Sequence, residues 1–170
     1  MFFVLRPLRL LIQGLVTSST PRQISMGLAM GMVVGLVPKG NLIALVLGMI
    51  LAASRVNLAI AASSAVLFTL IGVFLDPVFD RVGTWLLRMP ALQSFWTDLY
   101  NMPVMPWTDF NNSVVLGSLT VGLLMMWPVH RLSLPWIAEY SVVVTDYFRK
   151  WWITRLLMGA EWSSRISSIQ

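Results

Sequence analysis

The stretch "TPRQISMGLAMGMVVGLVPKGNLIALVLGM", residues 20–49, decides the fold of this chain, because it is apolar enough to enter a membrane and yet is interrupted halfway. The interruption is "PKGN", residues 38–41. Pro38 ends a helix, Gly40 is flexible and Lys39 carries a charge. The sequence therefore predicts two apolar arms separated by a break that contains a cation.

Capping residues define both arms. Thr20 is a good N-cap, and Gln23 three residues later completes a capping box, so the first arm is predicted over 22–37. Asn41 can cap the second arm, which is predicted over 41–54. At a rise of 1.5 Å per residue these arms span roughly 24 and 21 Å.

These lengths leave two arrangements open, because a hydrocarbon core of about 30 Å requires about 20 helical residues. The arms form either a re-entrant hairpin or a pair that crosses a thinned bilayer. A continuous helix is disfavoured by Pro38 and Gly40. In both arrangements the chain returns to its starting side at Arg55.

Composition indicates an integral membrane protein. Of 170 residues, 57% are hydrophobic and 11% are charged, against about 25% charged in an ordinary soluble domain. There is no cysteine, which excludes disulfides and thiolate metal sites. The net charge of +5 comes from basic residues scattered beside apolar segments, so the predicted partners are anionic lipid headgroups and not nucleic acid.

The whole chain is predicted to be all-α, with a single membrane domain over residues 1–160. Its predicted parts are an interfacial amphipathic helix 1–19, a broken helical hairpin 20–55, a membrane helix 56–76, an external interfacial segment 77–110, a membrane helix 111–128, an amphipathic helix 133–159 and a polar tail 161–170.

Charge predicts the sidedness of these segments. Residues 76–110 carry two arginines against four aspartates, whereas the segments on the other side carry nine cations and three acids. The positive-inside rule then places the nine-cation side, with both termini, in the cytoplasm of a bacterial cell and the chain in its inner membrane.

Glycines recur every four residues along the first arm, at Gly27, Gly31 and Gly35. Such spacing lets helix backbones approach closely in a membrane. Gly48 offers a matching small residue on the second arm, so we expect the two arms to pack face to face. The alternatives are a contact with another subunit and a backbone path beside a substrate.

Lys39 has two interpretations. It either extends to a headgroup from a loop near the outer surface, or lies in a protein cavity and binds an anionic lipid group. In the second case Gly40 and Asn41 supply backbone N–H groups at a helix start, and Arg55 with Asn57 contributes at the inner face.

Catalysis has little support in the sequence. The single histidine, His130, lies beside Arg131 at a predicted helix end, and no nucleophile, metal-ligand or phosphate-loop motif is present. We therefore predict no catalytic residue, no metal site and no cofactor, and no enzymatic activity.

Residues 20 to about 87 resemble the bacterial family called domain of unknown function 2062. The resemblance is carried by "TPRQISMGLAMGMVVGLVP", and "PKGN", "RVN" and "LYNMPVMPWTDFNNSVVLGSL" are similar to a subgroup of small inner-membrane proteins. It implies a multi-pass membrane protein without a settled activity, and some relatives joined to glycosyltransferase domains suggest lipid-linked glycans or envelope lipids.

Two functions follow as hypotheses. The chain either handles or scaffolds envelope lipids (phospholipid or polyprenyl-phosphate) as a subunit with a larger partner, or it is a purely structural subunit of a homo- or hetero-oligomeric membrane assembly. An ion or solute channel is a third, and the predicted membrane helices offer few polar side chains for one.

Overall fold

The computed structural model describes the backbone of residues 20–150 and the side chains of residues 20–140. Within that range the chain forms helices and turns without a β-strand. The α-helices are α1 (Pro21–Leu36), α2 (Leu42–Ala53), α3 (Leu58–Arg88), α4 (Gln93–Tyr100) and α5 (Ser113–Lys150), with 3-10 turns at Pro90–Leu92 and Met105–Thr108. The predicted helix 1–19 and the tail 161–170 lie outside the described residues.

Helix α1 begins and ends where local chemistry predicts. The backbone N–H of Thr20 donates to Oε1 of Gln23 at 2.9 Å, and the backbone N–H of Gln23 donates to Oγ1 of Thr20 at 3.3 Å, so both halves of the capping box form. Val37, which precedes Pro38, is extended with φ −71° and ψ 128°. A residue before proline is driven out of the helical region, so α1 stops at Leu36.

The predicted break is confirmed. Gly40 has φ +99°, a conformation that side-chain-bearing residues rarely adopt. Asn41 then accepts from the backbone N–H of Ala44 at 2.8 Å through Oδ1, and its amide donates to the Pro38 carbonyl at 3.0 Å. Asn41 therefore restarts the chain as α2, in a new direction.

Helices α1, α3 and α5 form a three-helix bundle, in which α1 and α3 run parallel. The three glycines of α1 approach successive turns of α3 so closely that an added Cβ would meet its backbone. That Cβ would lie 2.8 Å from a carbonyl oxygen at Gly27, 2.2 Å at Gly31 and 2.6 Å at Gly35, the oxygens being those of Asn57, Ala61 and Ala65.

Helix α5 runs antiparallel to both partners. Ser25 near the start of α1 contacts His130, whereas Val33 near its end contacts Gly122. The buried core between the helices is formed by Met32, Val33, Leu36 and Phe79. The bundle therefore has one end where α1 begins and another where α1 breaks.

Helix α2 lies on the outside of this bundle. Its Leu51 is buried and its Leu47 packs against the core, but most of its other large side chains are exposed. The predicted face-to-face packing of the two arms is wrong at Gly48, where nothing lies within 4 Å of an added Cβ. The glycines of α1 face α3 instead.

Two prolines that were predicted to end helices, Pro77 and Pro128, lie inside helices. The predicted helix 56–76 continues through Pro77 to Arg88, so the first twelve residues of the predicted external segment 77–110 belong to α3. The predicted helices 111–128 and 133–159 are one helix through Pro128 and Pro135, as far as residue 150.

Two helices are long and apolar enough to cross a membrane, judged by length and composition. They are Leu58–Arg88, with mean hydropathy 2.4 in its most apolar window, and Ser113–Tyr140, with 1.5. Only 17% and 28% of those windows are buried within the fold. Both helices therefore present broad apolar faces to their surroundings, among them Leu70, Val73 and Phe74 of α3.

Candidate functional site

The end of the bundle where α1 begins is basic. The backbone N–H of Asn57 donates to the Gln23 carbonyl at 3.2 Å, which fixes the start of α3 beside the start of α1. Ser25 and His130 join α5 to the same end. This basic end carries three exposed arginines: Arg22, Arg55 and Arg131.

Arg131 also packs against an aromatic ring. Its guanidinium carbon lies 5.5 Å from the centre of the Trp127 ring, and Trp127 itself is 67% exposed. A guanidinium over a tryptophan face gains cation–π attraction and is held in place at the surface. The basic end thus combines charge with an exposed aromatic side chain.

Lys39 lies at the other end of α1 and caps that helix. Its ammonium donates to the carbonyl of Val34, to that of Gly35 at 3.2 Å and to that of Val37 at 2.6 Å. A cation at a helix C-terminus satisfies carbonyls that have no helical partner and interacts favourably with the helix dipole. All three ammonium protons therefore have intramolecular acceptors. A contact of Lys39 with a headgroup stays a prediction.

The five residues of the predicted headgroup site are divided between the two ends. Lys39, Gly40 and Asn41 lie at the break, whereas Arg55 and Asn57 lie at the basic end. The 16 residues of α1 between these groups correspond to about 24 Å of helix. One headgroup therefore cannot contact both groups.

Asn57 has a structural role at the basic end. It is buried, and its Oδ1 accepts from the backbone N–H of Ile60 at 3.0 Å as the N-cap of α3. Its carbonyl is also the oxygen that Gly27 approaches. Arg55, two residues earlier, is exposed and is the member of this pair that can reach a ligand.

Ser25 and His130 form a buried polar contact between α1 and α5. Ser25 is fully buried, its Oγ lies 2.5 Å from Nδ1 of His130, and it also donates to the His130 carbonyl at 3.1 Å. These contacts join two helices. Among residues 20–140, no group of three or more His, Asp or Glu side chains could hold a metal ion.

Two glycines that sequence reasoning missed bring α3 and α5 together. An added Cβ at Gly83 would lie 1.9 Å from the Ser113 carbonyl oxygen, and one at Gly117 would lie 1.9 Å from that of Phe79. The hydroxyl of Ser113 donates to Asp80 beside this contact. These glycines lie on separate helices without four-residue spacing, so no local pattern marks them.

Sequence reasoning also missed an open surface pocket near the end of α3, called the hollow below. It has a volume of about 480 Å³. Its lining includes Arg81, Trp85 and Arg88, spaced four and three residues apart, so they share one face of α3. The spacing can be read from the sequence. It indicates a shared face only if the helix continues past Pro77, which the sequence analysis did not predict. The remaining lining residues are Asp80, Thr84, Met89 and Pro90.

The fold defines an all-α protein with two helices able to span a membrane, packed through glycine contacts. The profile of a family described as "Uncharacterized protein conserved in bacteria (DUF2062)" matches residues 6–143. The chain therefore belongs to this bacterial DUF2062 family. Assignment to the subgroup with the "TPRQ…GLVPKGN" motif stays a prediction.

One relative gives further context. The chain is 27% identical over 130 residues to an "Uncharacterized protein" of Treponema pallidum (strain Nichols), a match that covers 76% of this chain and 80% of the relative. No solved structure matches the chain.

Proposed function

We propose that this chain is a small protein of the bacterial inner membrane that handles or scaffolds anionic envelope lipids as a subunit with a larger partner. The observation that carries the proposal is the basic end, where Arg22, Arg55 and Arg131 from different parts of the chain are exposed at the same end of the bundle. Arginine pairs favourably with phosphate through charge-assisted hydrogen bonds. Phospholipids and polyprenyl-phosphates both present that group.

The proposed placement in the membrane follows from charge and apolar surface together. The exposed apolar faces of α3 and α5 would contact acyl chains, and the basic end would meet the cytoplasmic headgroups. Residues 89–112 would then lie on the outer side, and both termini in the cytoplasm. Because Lys39 is occupied by carbonyls, Arg55 becomes the principal candidate ligand from the predicted site.

The test compares lipid retention by purified full-length variants. We expect an Arg22→Gln, Arg55→Gln, Arg131→Gln triple variant to co-purify with less phosphatidylglycerol than the wild-type chain, measured by lipid mass spectrometry, while phosphatidylcholine added during purification is retained equally. A Lys39→Gln variant serves as the matched control, because its lost cation lies at the opposite end of α1. Equal phosphatidylglycerol retention by the triple variant and the wild-type chain would refute lipid handling at the basic end.

A purely structural assembly subunit is the alternative, and the open face of α2 favours it. Gly48 has free space around it, and Ala44 and Ala52 continue its four-residue spacing. A Gly48→Leu variant blocks this face without disturbing the bundle. Loss of oligomers in this variant, with lipid retention unchanged, would favour the assembly function. A Gly31→Leu variant cannot make this distinction, because its side chain would collide with α3 inside the fold.

A further inference from the structure

The hollow near the end of α3 lies at the opposite end of the three-helix bundle from the basic end. Its lining places two arginines on either side of an aromatic ring that is 62% exposed, that of Trp85. Arg81 and Arg88 are both exposed, and neither forms an ion pair or a hydrogen bond with a residue that the structure describes. Both guanidinium groups are therefore available to a ligand.

The charge of the hollow is positive although one carboxylate lines it. Asp80 accepts a hydrogen bond from the hydroxyl of Ser113, which holds the carboxylate toward α5. The two arginines and this one acid leave a net charge of +1 around a volume of about 480 Å³. An anion with one or two charges complements that lining.

The depth of the hollow along α3 matches the headgroup layer of a bilayer. Arg81 follows Leu58 by 23 residues and Arg88 by 30, so they lie about 35 and 45 Å along the helix. A bilayer has a hydrocarbon core of about 30 Å and measures about 40–45 Å with its headgroups. With the start of α3 at the outer edge of one headgroup layer, Arg81 and Arg88 lie at the inner and outer edges of the headgroup layer of the other leaflet.

The ring between the arginines suits the same depth. Tryptophan is enriched at membrane–water interfaces, where its ring meets glycerol and headgroup atoms. Its flat face lies between two guanidinium groups along α3, so apolar contact and positive charge occur at the same depth. This arrangement favours an amphiphile with a phosphate over a free soluble anion.

We propose that Arg81, Trp85 and Arg88 form a second lipid site, which binds the phosphate of an anionic phospholipid headgroup in the outer leaflet. The site rests on the membrane placement given above but not on the arginines of the basic end. Arg81 and Arg88 hold the phosphate oxygens from two sides, and Trp85 between them packs against the apolar atoms of the headgroup.

The test uses a reporter inside the hollow. Because the chain has no cysteine, a Thr84→Cys variant of the full-length protein gives a single attachment point for an environment-sensitive dye. The labelled protein in detergent is titrated separately with a short-chain phosphatidylglycerol, the matching phosphatidylcholine and inorganic phosphate. We expect saturable binding of phosphatidylglycerol that is at least about tenfold tighter than that of either other probe.

Two double variants of the labelled Thr84→Cys protein test which side chains bind the lipid. Arg81→Gln with Arg88→Gln should weaken phosphatidylglycerol binding by about tenfold or more, whereas Arg81→Lys with Arg88→Lys keeps the charge and should lose less. A Ser94→Ala control, at an exposed residue outside the hollow, should leave the signal unchanged. The melting temperature should be the same in all of them, since these arginines are exposed.

Three outcomes would overturn the proposal. The first is that the glutamine double variant binds phosphatidylglycerol with the same affinity as the labelled protein that keeps both arginines. The second is that phosphatidylcholine binds as tightly as phosphatidylglycerol. Inorganic phosphate could also bind as tightly as the lipid, which would replace the lipid site with a free-phosphate site. None of these outcomes concerns the basic end, whose variants test the proposed function separately.

Discussion

Replacing Gly31 with alanine should separate α1 from α3 and destabilise the bundle. An ideal Cβ at this position lies 2.2 Å from the Ala61 carbonyl oxygen and 2.8 Å from Cβ of Ser64. Ordinary van der Waals contact begins at 3.4 Å, so the helices must move apart by about 1.2 Å. A backbone carbonyl inside a helix cannot rotate away as a flexible side chain can.

The size of the effect follows from two opposing terms. Overpacking a close contact costs about 1–3 kcal/mol, and we take the upper value because the obstacle is backbone. Alanine in a helix gains about 1 kcal/mol over glycine. The net loss of about 2 kcal/mol corresponds to a fall in melting temperature of roughly 4–8 °C for a chain of this size.

Gly48→Ala is the matched control, because nothing lies within 4 Å of the added Cβ on α2. We expect it to be neutral or to raise the melting temperature slightly through helix propensity. Unfolding is followed by tryptophan fluorescence of the purified chain in detergent. A Gly31→Ala variant as stable as the Gly48→Ala variant would refute the close approach of α1 and α3.

Other substitutions test further contacts in the same unfolding assay. Ser64→Ala removes a 2.7 Å hydrogen bond to the Leu28 carbonyl between α3 and α1 and should cost about 0.6 kcal/mol. Ser25→Ala leaves His130 without its buried partner and should cost about 1 kcal/mol, whereas a loss near zero would contradict a role for this contact. Lys39→Met should cost about 0.5–1 kcal/mol as a lost helix cap, and an unchanged stability would show that its three carbonyl contacts contribute nothing.

Local chemistry explains which parts of the fold could be predicted. The break between α1 and α2 has three consecutive signals: a proline, a glycine with positive φ and the capping Asn41. The start of α1 has a complete capping box. Each of these signals acts within four residues, so the local sequence alone determines where α1 begins and where the chain breaks between α1 and α2.

The helix ends that could not be predicted depend on tertiary packing. Asp76 and Pro77 together resemble the start of a new helix, but the turn that follows is held by contacts of Phe79 and Gly83 with α5, and α3 continues. The partner of the α1 glycines was missed for the same reason, since spacing indicates a close contact but does not identify the other helix. The hollow at Arg81 and Arg88 became visible only once α3 was known to continue past Pro77.

The central claim is that the basic end faces the cytoplasm and that residues 89–112, at the opposite end of the three-helix bundle, face the outer side of the membrane. The most direct test of this claim is to determine on which side of the membrane each end lies. The measurement is labelling of intact cells with a membrane-impermeant maleimide, using Ser94→Cys and Ser168→Cys variants of the cysteine-free chain. The account predicts that the cysteine at 94 reacts before lysis and that the one at 168 reacts only afterwards. The reverse pattern, or equal reaction of both in intact cells, would contradict it.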